Sequence, residues 1–153
     1  MIEGVAVFRE SNGIEGFVLF TQKGKFVKIS VNISGLKTDF SHGFHIHETG
    51  DLRRGCDSCC KHYNPDDTNH GDLNDENSHA GDLGNIVTNS KGISIMELKT
   101  DKFYVEEIIG RSVVIHRDTD DLGKGSNKDS LVTGNSGKRI ACAVIGFSEK
   151  SDC

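Results

Sequence analysis

Apolar positions along this chain come in short bursts, and several of them alternate with polar ones. Val5-Ala-Val-Phe8 and Gly16-Phe-Val-Leu-Phe20 are apolar runs on either side of Ser11-Asn12-Gly13, a turn signal. From Lys25 to Ile33 the chain alternates and puts Ile29, Val31 and Ile33 on one face, the period of two that marks a half-buried strand. Phe44 and Ile46, with His45 between them, read as another strand. From Thr49 to Gly84 the pattern vanishes into a polar, Gly- and Asp-rich stretch. Strand character resumes over Asn85–Leu98 and Arg111–His116. Asp118–Lys138 is a second long polar loop, and Arg139–Phe147 is the last strand. About eight short strands with no sustained helical period predict an all-β sandwich or barrel.

Composition sharpens this reading. The 153 residues suit one domain, 1–153, with a real core. The absence of Trp, the single Pro and the 18 Gly agree with a turn-rich all-β protein. A formal charge of −5 argues against general nucleic-acid binding. No apolar run approaches membrane-spanning length. The N-terminal Met1-Ile-Glu-Gly-Val-Ala-Val-Phe8 lacks a basic region and a cleavage site, so a cytoplasmic protein is expected. In that compartment the 5 Cys would ordinarily be reduced thiols.

The candidate chemistry lies in the histidines, of which there are 7. His45 and His47, one residue apart on a strand, face the same way and can share an ion. His116, ending the apolar run Val113-Val114-Ile115, could complete that set. His62, His70, His79 and Asp82 fall in one loop that can wrap a second ion. Bound metal would also account for so long a loop in a compact fold. Imidazoles alone suit copper, whereas imidazoles with one carboxylate suit tetrahedral zinc. Scattered surface histidines are the bland alternative for any one of them. A purely structural zinc would explain the loop cluster but leaves His45, His47 and His116 without a purpose.

Gly43-Phe-His-Ile-His-Glu48, Gly81-Asp-Leu-Gly-Asn85, Asp121-Leu-Gly-Lys-Gly125 and Gly137-Lys-Arg-Ile-Ala-Cys142 together resemble the signatures of the copper/zinc superoxide dismutases, across essentially the whole chain. The resemblance implies an eight-stranded Greek-key β-barrel, or immunoglobulin-like sandwich, with two long functional loops. It implies one copper on His45, His47, His62 and His116, and one zinc on His62, His70, His79 and Asp82, with His62 shared as a bridging imidazolate. It implies dismutation of superoxide to dioxygen and hydrogen peroxide, by alternate reduction and reoxidation of the copper, as antioxidant defence. Asp120 matches a carboxylate that orients His45 and His70. Arg139 matches an arginine that docks the anion beside copper. His42 matches a hydrogen-bonded structural residue. Cys56 and Cys142 match a disulfide that persists in the cytosol, which leaves Cys59, Cys60 and Cys153 free.

The chain also departs from the family's pattern. Cys59-Cys60-Lys61 stands where small residues, often Gly before Pro, are usual. In the second loop Lys128 has appeared and Val132 occupies a position where a lysine is expected, which redistributes the charges that guide superoxide. Lys124, Lys128 and Lys138 are the candidate rim of a positive funnel above Arg139. The resemblance further implies a homodimer joined through Thr49-Gly50, Ile109-Gly110 and Val144–Phe147, and copper supplied by a delivery chaperone. Ile109, Ile145 and Phe147 could instead belong to the core. The dismutase-like domain of a copper chaperone is a second reading, but such domains usually lack part of the copper site.

Overall fold

The computed structural model describes residues 1–153, the side chains of Glu10 and Ser11 excepted. Its strands are β1 (Glu3–Ser11), β2 (Ile14–Lys23), β3 (Phe26–Ser34), β4 (Ser41–His47), β5 (Arg53–Cys56), β6 (Asp82–Val87), β7 (Ser94–Thr100), β8 (Ser112–His116) and β9 (Arg139–Phe147). All but β5 join one antiparallel sheet in the order β6-β4-β8-β9-β1-β2-β3-β7. Its two edges, β6 and β7, are consecutive in the chain, and the Val87 N–H reaches Met96 Sδ at 3.2 Å between them. The sheet is thus curled into a nearly closed barrel. The passages from β3 to β4 and from β7 to β8 cross the barrel end, the Greek-key connection.

Local sequence explains most of these elements. Asn12 and Gly13 both adopt positive φ (56° and 78°), as a two-residue turn matched to the twist of β1 and β2 requires. In β3 the alternation buries Val27, Ile29, Val31 and Ile33. They meet Phe20, Phe44, Ile46, Ile115 and Ile145 in the core. Each such side chain contributes about 1.5–3 kcal/mol by leaving water. Strand β4 is buried on both faces. Phe44 and Ile46 point into the barrel, while His45 and His47 point outward beneath loops that cover them. That is how a strand with an ordinary inside pattern comes to carry a buried polar face.

Three local features differ from the sequence expectation. The stretch 49–84 holds β5 and a 3-10 turn, Asp57–Cys59. A helix, α1 (Val105–Ile108), closes one end of the barrel; one turn is too short to leave a helical period. Its first turn is capped by Glu107 Oε2, which accepts from the Tyr104 N–H at 2.6 Å. The expected strand over 85–98 is two strands, parted at Asn89, whose Oδ1 accepts from the N–H groups of Lys91 and Ile93.

The two long loops flank β4 and β8. The first, between β4 and β6, is pinned to β9 by a Cys56–Cys142 disulfide with Cα atoms 5.7 Å apart. The second, between β8 and β9, contains a 3-10 turn at Lys128–Leu131, capped by Asn127, whose side chain accepts from the Ser130 N–H.

Candidate metal centre

Two clusters of donor atoms lie side by side on the outer face of β4. The first uses His45 and His47 from β4, His116 from the end of β8 and His62 from the first loop. All four are buried, and their ligand atoms lie within 4.8 Å of one another. The loop is held there by backbone pairing: His62 bridges to His47, and the Tyr63 N–H donates to Ile46 O at 2.8 Å.

Each ring of β4 and β8 has one nitrogen committed elsewhere. His47 Nδ1 bonds Cys60 O (2.9 Å), His116 Nδ1 bonds Gly137 O (3.0 Å) and His45 Nε2 bonds Asp120 Oδ2 (2.5 Å). A ring that donates its N–H outward presents a lone pair on its other nitrogen. Those nitrogens converge. His47 Nε2 and His116 Nε2 are 3.4 Å apart, and His45 Nδ1 is buried with no hydrogen-bond partner. Burying an unpaired acceptor is costly unless something else completes it, and a metal ion does.

The second cluster surrounds Asp82 Oδ1. His62 Nδ1, His70 Nδ1 and His79 Nδ1 stand 3.1, 2.9 and 3.3 Å from it, and the His62 and His79 nitrogens are 3.1 Å apart. Ligands about 2.0–2.1 Å from a tetrahedral ion are separated by about 3.3 Å, so this cage has the size of a zinc site. Asp82 Oδ2 is held by the N–H groups of Gly71 and His79. His45 also comes within 4.8 Å of His62, His70 and Asp82, but it already serves the four-histidine cluster, and it is His79 Nδ1 that stands beside both Asp82 Oδ1 and His62 Nδ1. His62 is common to both clusters, with Nδ1 on the Asp82 side and Nε2 left for the other.

Asp120 ties the clusters together from behind. Its Oδ2 serves His45, and its Oδ1 serves His70 Nε2 (2.7 Å) and the Leu122 N–H (2.8 Å). Asn85 fixes Asp120 by bonding its backbone N–H and C=O. Gly134, at φ 72°, closes the second loop against this pair; a Cβ there would overlap Asp120 Oδ1 and His70 Nε2. His42 is structural, as the sequence suggests: its Nδ1–H donates to His116 O at 2.8 Å.

The electrostatics of the four-histidine cluster suit cation binding. Burial, reinforced by the neighbouring imidazoles, holds His45 and His47 well below their usual range, lowers His62 and brings His116 to about 4. All are neutral at pH 7, so His45, His47 and His116 each keep a nitrogen free for a metal, while His62, offered to both clusters, is the one ring that must give up its N–H. Burial raises the cost of ionising Asp82, but hydrogen bonds from His62, His70 and His79 outweigh it and keep the carboxyl ionised. For His70 burial is likewise outweighed, by Asp120 and Asp82, and it rises to about 9.

A sequence profile of the family described as copper/zinc superoxide dismutase (SODC) matches residues 14–145. The chain belongs to the copper/zinc superoxide dismutase family. A relative from Paramecium bursaria Chlorella virus 1, named superoxide dismutase [Cu-Zn], is 48% identical over 143 residues, covering 92% of this chain and 76% of its own. A crystal structure described as that of the clock protein EA4 superposes with a TM-score of 0.90 at 42% identity, covering 95% of this chain and 94% of that one. Copper and zinc are the metals of the family, and the two donor sets have the composition and spacing for them.

A cavity of about 520 Å³ opens on the four-histidine cluster, walled by His47, His62, His116 and Arg139, with residues of the second loop opposite. Arg139 is aimed by two carbonyls: Nη1 donates to Cys56 O (2.8 Å) and Nη2 to Cys60 O (2.6 Å). The disulfide and the arginine thus share one anchor. The lysines picked out in the sequence, Lys124, Lys128 and Lys138, do not line this cavity, because the second loop turns Asp129, Val132 and Thr133 towards it instead. Lys61 does line it. In the sequence Lys61 stands out only as a departure from the family's Pro. Cys60 was also missed: it sits at φ 69°, ψ −151°, and its carbonyl serves both His47 and Arg139. The spacing of Cys60 from the ligands carries no sign of either role.

Proposed function

We propose that this chain dismutates superoxide, with copper held by His45, His47, His62 and His116 and zinc held by His62, His70, His79 and Asp82. The observation that carries the assignment is the sharing of His62 between two complete donor sets. Copper held there supplies the one-electron chemistry by which two superoxide ions and two protons become dioxygen and hydrogen peroxide. The protein's residues do the rest. The Arg139 guanidinium docks the anion at the cavity floor. His62, whose Nδ1 faces Asp82 and which lines the cavity, would be the ring that holds a proton for the departing product. Asp120 keeps His45 and His70 in their orientation, and Cys60 O does the same for His47. The loops exclude bulk water from all but the mouth.

His116→Ala tests this reading. It should lose copper and dismutation while zinc remains bound at full stoichiometry. Dismutation surviving without copper, or zinc lost together with copper, would overturn the assignment.

The working assembly in this reading is a homodimer. Val7, Phe17, Val144 and Phe147 are exposed, at 46, 42, 39 and 66%. Gly50 packs against Gly110 O, which brings the two loop patches of the expected interface together. Ile145 lies in the core and takes no part. The free thiols of Cys59, Cys60 and Cys153 support a reducing, cytosolic working place, tested by fractionation.

A further inference from the structure

We infer that Lys61 is a second anion-guiding residue of this active site, acting across the cavity mouth from the second loop and together with Arg139. The inference rests on the superoxide reading above.

The charges on the cavity wall carry the argument. Its fixed ionic side chains are Lys61, Arg139 and Asp129. Arg139 is spoken for by two carbonyls at the floor, and Asp129 places a negative charge on the opposite wall. Without Lys61 these two cancel. With it, the wall carries a net positive charge on a protein whose overall charge is −5.

The lysine is also built to stay available. Its backbone is fixed, because Lys61 O accepts from the Glu48 N–H at 2.8 Å and the next residue pairs with His47. Its side chain is exposed, and among the described residues it has no carboxylate partner. Glu48, the nearest acid along this pairing, instead accepts from Cys60 Sγ at 3.2 Å. On the second-loop side the wall offers Val132, which is 60% exposed and uncharged. The guiding charge therefore sits on the first loop, beside a metal ligand, rather than on the 3-10 turn of the second.

A unit charge about 10 Å from a docked anion, acting through water, changes its local concentration about twofold at low salt. Lys61→Gln should therefore lower kcat/KM for superoxide about twofold and Lys61→Glu about fourfold, both effects collapsing as the Debye length shrinks to about 10 Å at 0.1 M salt. The experiment uses the copper- and zinc-loaded protein and adds a readout independent of turnover, the affinity for azide followed by its absorption band on copper(II). Azide affinity should fall by the same factors, Lys61→Arg should restore it, and Lys91→Gln, which makes the same change in net charge away from the cavity, should leave it unchanged. Wild-type protein without dismutation overturns the functional reading. Wild-type dismutation with azide affinity and salt dependence unaltered in Lys61→Glu overturns the role of Lys61 alone.

Discussion

Replacing Cys60 by glycine should stabilise the protein without disturbing its metal ligands. Cys60 holds φ 69° and ψ −151°, a region essentially reserved for glycine, where other residues carry about 1–3 kcal/mol of strain. The position cannot relax, because the Cys60 carbonyl is held by His47 Nδ1 and Arg139 Nη2. Glycine removes the strain and keeps the carbonyl. Against this stands the greater backbone freedom of glycine in the unfolded chain, about 0.5–1 kcal/mol. The exposed thiol also loses its bond to Glu48, worth little at the surface. The net gain is about 0.5–2 kcal/mol, or roughly 1–8 °C in Tm for a chain of this size. The assay is urea unfolding of the disulfide-intact, metal-free protein, with Cys60→Ala as the companion variant. Alanine deletes the thiol but keeps the strain, so Cys60→Gly should exceed Cys60→Ala by about the same 0.5–2 kcal/mol. Equal midpoints for the two variants, or a more stable alanine protein, would refute the reasoning.

Other outcomes follow from the same geometry. Cys142→Ser opens a cross-link between residues 86 apart and should destabilise the protein by about 4–5 kcal/mol in the chain-entropy model; peptide mapping without reductant should find Cys56–Cys142, and a bridge to Cys59 or Cys60 would contradict it. Metal-free protein should be most stable near pH 6.5. His70, raised to about 9 in the fold, contributes stability that is complete below its unfolded value and lost as pH rises through about 9. His116, lowered to about 4, must charge as pH falls, so its share is present above the unfolded value and lost towards pH 4; urea midpoints that climb steadily from pH 6 to 10 would contradict this pair. Phe147→Glu places a charge at an exposed apolar site of the expected dimer contact and should give a monomer by light scattering at micromolar concentration, with the fold intact by circular dichroism.

The strands were legible because burial alternates with the pleat, as β3 demonstrates from Val27 to Ile33. The ligands were legible for a different reason. His45 and His47 betray their shared face by spacing alone, and the loop histidines stand out because little else in residues 49–84 calls for them. What remained hidden depends on the path of the backbone rather than on residue type. Helix α1 is a single turn and leaves no period. The strain at Cys60 is a backbone angle that the letter C does not encode. Lys61 faces the cavity because two backbone pairings set its loop against β4, whereas Lys124, Lys128 and Lys138 are turned away by the fold of the second loop. Phe147 shares its parity with the buried Ile145 yet is exposed, because it ends β9 opposite Gly4.

Gly134 sets a limit on how this scaffold can be rebuilt. The second loop forms one wall of the substrate entrance, and residues such as Val132 and Thr133 offer obvious places to retune which small anions are admitted. Position 134 offers no such latitude, since any side chain there would collide with the carboxylate and imidazole that hold the two metal sites in register. Libraries that randomise the loop should therefore leave this one codon untouched. Variants that change it would report on damaged metal loading rather than on altered selectivity.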